Sequence, residues 1–190
     1  MTYSIKVPDI RQSSDYTCWW ASLRMVLAVR EPGRALTGHP RALSKGWKRE
    51  RKYLAEFERR RIRSPNSAHF MARKLYPKVG LNDRQFSELA EGNGLRPVPT
   101  RLGDRWTPQE LEGLLRHYGP LWCAINRGGS GHVVVVCGID STDQVEVMDP
   151  ERGRVLWHID MFNGLLSPSP HALLYAPGPW DVQGPWESPW

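Results

Sequence analysis

Apolar residues recur along this chain in two rhythms, and the change of rhythm divides it. From Cys18 to Arg30 the spacing is helical. Leu23, Val26 and Leu27 form one stripe, and Trp19, Trp20 and Met25 fall one face over, so this helix is apolar on most sides and is expected to be buried. Pro32-Gly33 stops it. Leu43, Trp47, Leu54 and Phe57 repeat at helical spacing farther on, and residues 82–91 read as a short helix capped by Asn82 and ended by Gly92-Asn93-Gly94. Thr107-Pro108-Gln109-Glu110 has the form of a capping box with proline at the first helical position, opening a helix that runs to His117. After Gly119-Pro120 the rhythm becomes that of strands: 120–126, then 132–140, which is β-branched and apolar on both faces and so central, then 143–149, which alternates and ends at Pro150. Residues 154–158 and 171–175 read as two more. Helices first and a meandering antiparallel sheet afterwards make an α+β protein.

The length of 190 residues suits one domain. We place that domain at 1–176, followed by a Pro/Trp-rich tail, 177–190, in which Gly/Ser-Pro-Trp occurs three times. Three cysteines, an odd number, argue against a disulfide framework, and Cys123 and Cys137 are expected as free buried thiols. There is no C-x-x-C or H-x-x-x-H spacing, so neither a structural nor a catalytic zinc is expected, and no cofactor. The N-terminus lacks the apolar core of a secretory signal, and no window could span a membrane. These features leave the cytoplasm or export by a specialised secretion system. The net charge of +6 is concentrated in residues 41–63, where ten Lys or Arg face three Glu. This stretch reads as an amphipathic helix with a basic outer face, which would suit an acidic partner; no base-reading motif accompanies it, so nucleic acid is not expected.

The candidate chemistry starts at Cys18, at the mouth of the apolar helix, with Gln12 six residues upstream. Unpaired N–H groups and the helix dipole favour a thiolate there, and a glutamine amide can donate to an oxyanion. Taken alone, Cys18 could equally be a small buried hydrophobe. His132 opens the central strand after the glycine-rich turn 127–131, and a turn near 140–142 sets Asp149 across from it or within about two residues. The carboxylate can then fix one ring nitrogen and leave the other for Cys18. Asp140, the rival acid, sits at the far end of the histidine's strand. His39, His69 and His171 lie in loop or strand-end contexts, His117 ends a helix, and His158 lies in a later strand.

Together Gln12, the Cys18-Trp19-x-Ala21 start with Met25-Val26-Leu27 behind it, Gly131-His132 opening a strand that closes with Gly138-Ile139-Asp140, and Asp149-Pro150 resemble a papain-like cysteine peptidase. The likeness is to the compact bacterial branch that includes plant-pathogen effector proteases and bacteriocin-processing peptidases. It implies a helical lobe carrying the nucleophile, packed on an antiparallel sheet lobe. It also implies Cys18 as nucleophile, His132 as acid–base, Asp149 as its orienting partner, and Gln12 with the Cys18 N–H as oxyanion donors. A protein or peptide substrate follows, with action as an exported effector or toxin. Two departures from papain itself, the missing glycines around the cysteine and Asp in place of Asn, suit that branch. The same residues would serve an amidase or deamidase acting on peptidoglycan or glutamine side chains. A non-catalytic binding module using the basic helix and the tryptophan tail is the alternative of another class.

Overall fold

A computed structural model describes residues 2–12, 18–30, 94–99, 105–128, 130–169 and 171–178. The basic stretch 41–63, the helix expected at 82–91 and the end of the tail lie outside the described residues. In chain order the elements are β1 (Tyr3–Ser4), α1 (Cys18–Arg30), β2 (Arg96–Pro97), α2 (Pro108–Tyr118), β3 (Leu121–Arg127), β4 (Ser130–Ile139), β5 (Gln144–Asp149), β6 (Gly153–His158), α3 (Ile159–Leu165) and β7 (Leu173–Tyr175).

The first helix spans the residues its apolar run predicts. The second begins at the predicted box: the Glu110 N–H donates to Thr107 Oγ1 at 3.3 Å, and the Thr107 N–H donates to Glu110 Oε2 at 2.8 Å. The helix α3 had no clear pattern of its own in the sequence. His158, expected only as a strand residue, also starts α3, its Nδ1 accepting from the Asp160 N–H at 3.3 Å.

All pairings in the seven-stranded sheet are antiparallel, in the order β2-β7-β3-β4-β5-β6, and β1 pairs with β4. The sheet is therefore not a simple meander. The last strand, β7, returns to lie beside β3, and β2 pairs with it from the other side. The expected boundaries shift by one or two residues: the strand expected at 171–175 covers Leu173–Tyr175, and that expected at 132–140 starts at Ser130.

Strand alternation assigns the two faces. Trp122, Ala124, Val133, Val135, Cys137 and Met148 pack with α1, while Leu121, Cys123, Ile125, Val134, Val136 and Val147 pack with Leu111, Leu115 and Tyr118 of α2 and Phe162 of α3. The sheet is thus covered on both faces, and β4 is apolar on both sides because it needs to be. Cys123 and Cys137 belong to opposite faces and are free, as is Cys18.

Candidate active site

The site is built at the end of the sheet where β3 turns into β4. Cys18 is the first residue of α1 and is buried, 7% exposed, so the unpaired N–H groups of the first helical turn surround it. Two bonds pin this end of the helix to the sheet. Ser22 Oγ, fully buried, donates to the Val133 carbonyl at 3.1 Å, and Trp122 Nε1 donates to the Trp19 carbonyl at 3.1 Å. One pins the residue after Cys18; the other reaches the residue after His132. The separation of sulfur and imidazole is therefore set by core packing rather than by loop conformation. Asp15 and Thr17, either of which could cap α1, lie outside the described residues.

His132 and Asp149 meet because β4 carries a bulge. Ile139 pairs with Val145 and Gly138 with Glu146, but the next pairs are Val136 with Val147 and Val135 with Met148. One extra residue, Cys137, is inserted in β4. Extending the bulged register sets Asp149 opposite Val134, on the face His132 shares with it. The two are then diagonal neighbours, and His132 Nε2 lies 2.8 Å from Asp149 Oδ1. Without the bulge every residue of β4 before Cys137 would change face, and the imidazole would point away from the carboxylate. Gly138 belongs to the same device: a β-carbon there would meet the Tyr3 carbonyl oxygen and Glu146 at 2.8–3.1 Å, so only glycine lets β1 and β5 close on β4 at this point.

Cys18 is the ring's other neighbour and acts on it through hydrogen bonding and charge. Burial opposes a charge on this ring. It is outweighed by the hydrogen bonds to Asp149 and Cys18 and by the charges of both partners, and the His132 pKa is pushed up to about 9. For Asp149 burial again works against the charge. Hydrogen bonds from His132, the Glu151 N–H and Arg127 prevail and hold the carboxyl well below the usual carboxylate range. The pair is thus an imidazolium and a carboxylate at neutral pH.

Sequence reasoning did not find two residues of this cluster. Arg127, the last residue of β3, donates through Nη2 to Asp149 Oδ2 and through Nη1 to Glu151 Oε2 at 2.9 Å. Glu151 follows Pro150 in the β5–β6 turn, and its N–H donates to Asp149 Oδ1 at 2.8 Å. An arginine before a glycine-rich turn carries no signal until the sheet register is known. His132, Asp149 and Glu151 are also the one group among the described residues whose ligand atoms are close enough to hold a metal. Arg127 pairs with both acids of that group, so the cation between them is a guanidinium.

The Gln12 N–H donates to the Pro150 carbonyl at 3.1 Å, and the neighbouring Arg11 Nη1 donates to the Glu151 carbonyl at 3.0 Å. Arg11 lies over Gly153 (φ 84°), where a β-carbon would collide with its guanidinium. The segment before α1 is thereby laid along the turn that presents Asp149. The Gln12 side-chain oxygen is buried and has no hydrogen-bond partner among the described residues. Asp140, the rival acid, is used up in its own turn, accepting from the N–H groups of Thr142 and Gln144 at 2.8 and 3.0 Å.

A family profile described as papain-like cysteine protease AvrRpt2 matches residues 1–166. Among solved structures, a double glycine motif protease from an AMS/PCAT transporter, crystallised with its leader peptide, is similar at 20% identity over 92% of each chain, with a TM-score of 0.48. No curated protein matches.

Proposed function

This chain belongs to the papain-like cysteine protease family of AvrRpt2 and is a cysteine peptidase; from the geometry at the end of its sheet we propose that Cys18, His132 and Asp149 form the catalytic triad, with Gln12 completing the oxyanion site. The observation that carries this reading is an imidazole held between a carboxylate and the sulfur at a helix start. Family membership sets aside the non-catalytic binding module.

The steps follow from the positions. The thiol proton of Cys18 passes to His132, and the resulting thiolate attacks the carbonyl carbon of a peptide bond, whose π electrons move onto the oxygen. The Cys18 backbone N–H and the Gln12 side-chain amide stabilise that oxyanion. As the oxyanion collapses the C–N bond breaks, and the imidazolium of His132 gives its proton to the leaving amine. The neutral ring then takes a proton from water, which attacks the thioester and releases the acid. Asp149 keeps the ring oriented throughout.

We place the catalytic unit at 1–176, because β7 (Leu173–Tyr175) pairs with both β2 and β3 and the sheet is incomplete before it. The substrate class is a protein or peptide, and the family likeness suggests action as an exported bacterial effector or toxin. No helix among the described residues is long and apolar enough to cross a membrane. The test is mass-spectrometric mapping of new peptide termini in a lysate treated with wild type or with Cys18→Ala. Termini that arise with wild type alone are expected. The same termini with Cys18→Ala would overturn the assignment, and a mass change of about +1 Da at glutamines without new termini would favour the deamidase reading.

A further inference from the structure

Asp149 is held by more than its imidazole partner. Its side chain is fully buried, and both oxygens are taken: Oδ1 accepts from His132 Nε2 and from the Glu151 N–H, each at 2.8 Å, and Oδ2 accepts from Arg127. The guanidinium's other arm reaches Glu151 Oε2 at 2.9 Å, so Arg127 bridges the end of β3 to the turn after β5. We infer that Arg127 is a positioning residue of the peptidase reaction, which keeps Asp149 turned and charged so that Oδ1 faces His132 through the whole cycle. This rests on reading Cys18, His132 and Asp149 as the triad.

A carboxylate can rotate about its Cβ–Cγ bond, and its oxygens are chemically equal. A planar fork anchored on a second acid fixes that rotation, which a point charge on a flexible stem does less well. Charge during turnover acts in the same direction. When His132 hands its proton to the leaving amine, the ring becomes neutral. A fully buried Asp149 would then keep its charge with no cation beside it, a state that favours protonation or rotation of the carboxylate. The guanidinium beside Asp149 supplies that cation at every step. It also balances the cluster, which holds Glu151 and Asp149 against Arg127 and His132.

The test needs no identified substrate. The low-field proton resonance of His132 Nε2–H, assigned by its loss in Asp149→Asn, reports the Asp149–His132 bond directly. In Arg127→Met that resonance is expected to be lost or moved upfield in a protein that still melts cooperatively. The rate of terminus formation in lysate is expected to fall about tenfold or more, part of the roughly 100- to 10,000-fold that a positioned acid–base system supplies. Arg127→Lys should recover part of both. Combined with Asp149→Asn, Arg127→Met should add less than about twofold further loss, because it acts through that carboxylate. A wild-type resonance and rate in Arg127→Met would overturn the inference, as would losses that multiply in the double variant. Should Arg127→Met not fold, Arg127→Lys with a displaced resonance and reduced rate supports it, and Arg127→Lys indistinguishable from wild type overturns it. Full activity in Asp149→Ala would instead sink the triad reading beneath it.

Discussion

Two buried carboxylates on the same strand, Glu146 and Asp149, have nearly the same partners and opposite consequences. Each is paired with an arginine, Arg154 for Glu146 (2.8 Å) and Arg127 for Asp149. Each also has a cysteine in its network. At Glu146 the carboxylate touches the sulfur directly, with Cys137 Sγ 3.5 Å from Oε1. Burial, and then the charge of Glu146, push the Cys137 thiol up, which keeps it protonated and inert. At Asp149 an imidazole stands between acid and sulfur. The same negative charge there stabilises an imidazolium instead of suppressing a thiolate. What separates a fold-holding network from a candidate catalytic one is thus the interposed ring. The Glu146 network ties down β1, through Ser4 Oγ at 2.7 Å from Glu146 Oε2.

The comparison breaks most sharply at the sulfurs. Cys18→Ala should abolish formation of new termini while leaving the melting temperature nearly unchanged, whereas Cys137→Ala should keep turnover. Turnover that survives loss of Cys18 would remove the distinction. Next in size is thiol selectivity. Iodoacetamide on the native protein should label Cys18, followed by peptide mapping, well before Cys123 or Cys137, both fully buried and both pushed up by burial. Equal labelling of the three would contradict the difference in environment.

The imidazolium provides a pH test. Its pKa is raised from 6.5 to about 9, so the folded state binds this proton more tightly than the unfolded chain does. The pair's stabilisation is complete below pH 6.5 and is lost as pH rises through about 9. Asp149 is shifted the other way: its contribution is present above the ordinary carboxylate value of 3.8 and disappears as pH falls toward its lower folded value. The melting difference between wild type and His132→Gln should therefore shrink through pH 9, and turnover should decline over the same range. A difference that stays flat across that range would place the charge elsewhere. The smallest effect is expected at the other acid. Glu146→Gln should cost about 1 kcal/mol of stability, read by urea unfolding, and leave turnover intact.

Much of this was legible before the fold was known. The run behind Cys18 is apolar on most sides, which predicted a buried helix with that cysteine at its start. The capping box at Thr107 named the first residue of α2. The Gly-rich turn before His132 and the Asp-Pro after β5 marked two strand ends that a hairpin brings together. Arg127 and Glu151 were not legible, since a charged residue beside a turn looks solvated until its neighbours across the sheet are known. The pairing of β7 with β3, and of β2 with β7, was equally hidden, because short strands with ordinary composition carry no record of their partners.

The residue types and their order along the chain determined the chemistry open to this protein: a sulfur at a helix start, a histidine opening a strand, an acid closing the next. Whether imidazole and carboxylate share a face was decided by the sheet alone. A strand repeats every two residues, so the single extra residue at Cys137 reverses the facing of everything before it. Composition cannot encode that parity. Only the closure of β1 and β5 around Gly138, and the packing of α1 against Val133, select the register in which His132 meets both Asp149 and Cys18.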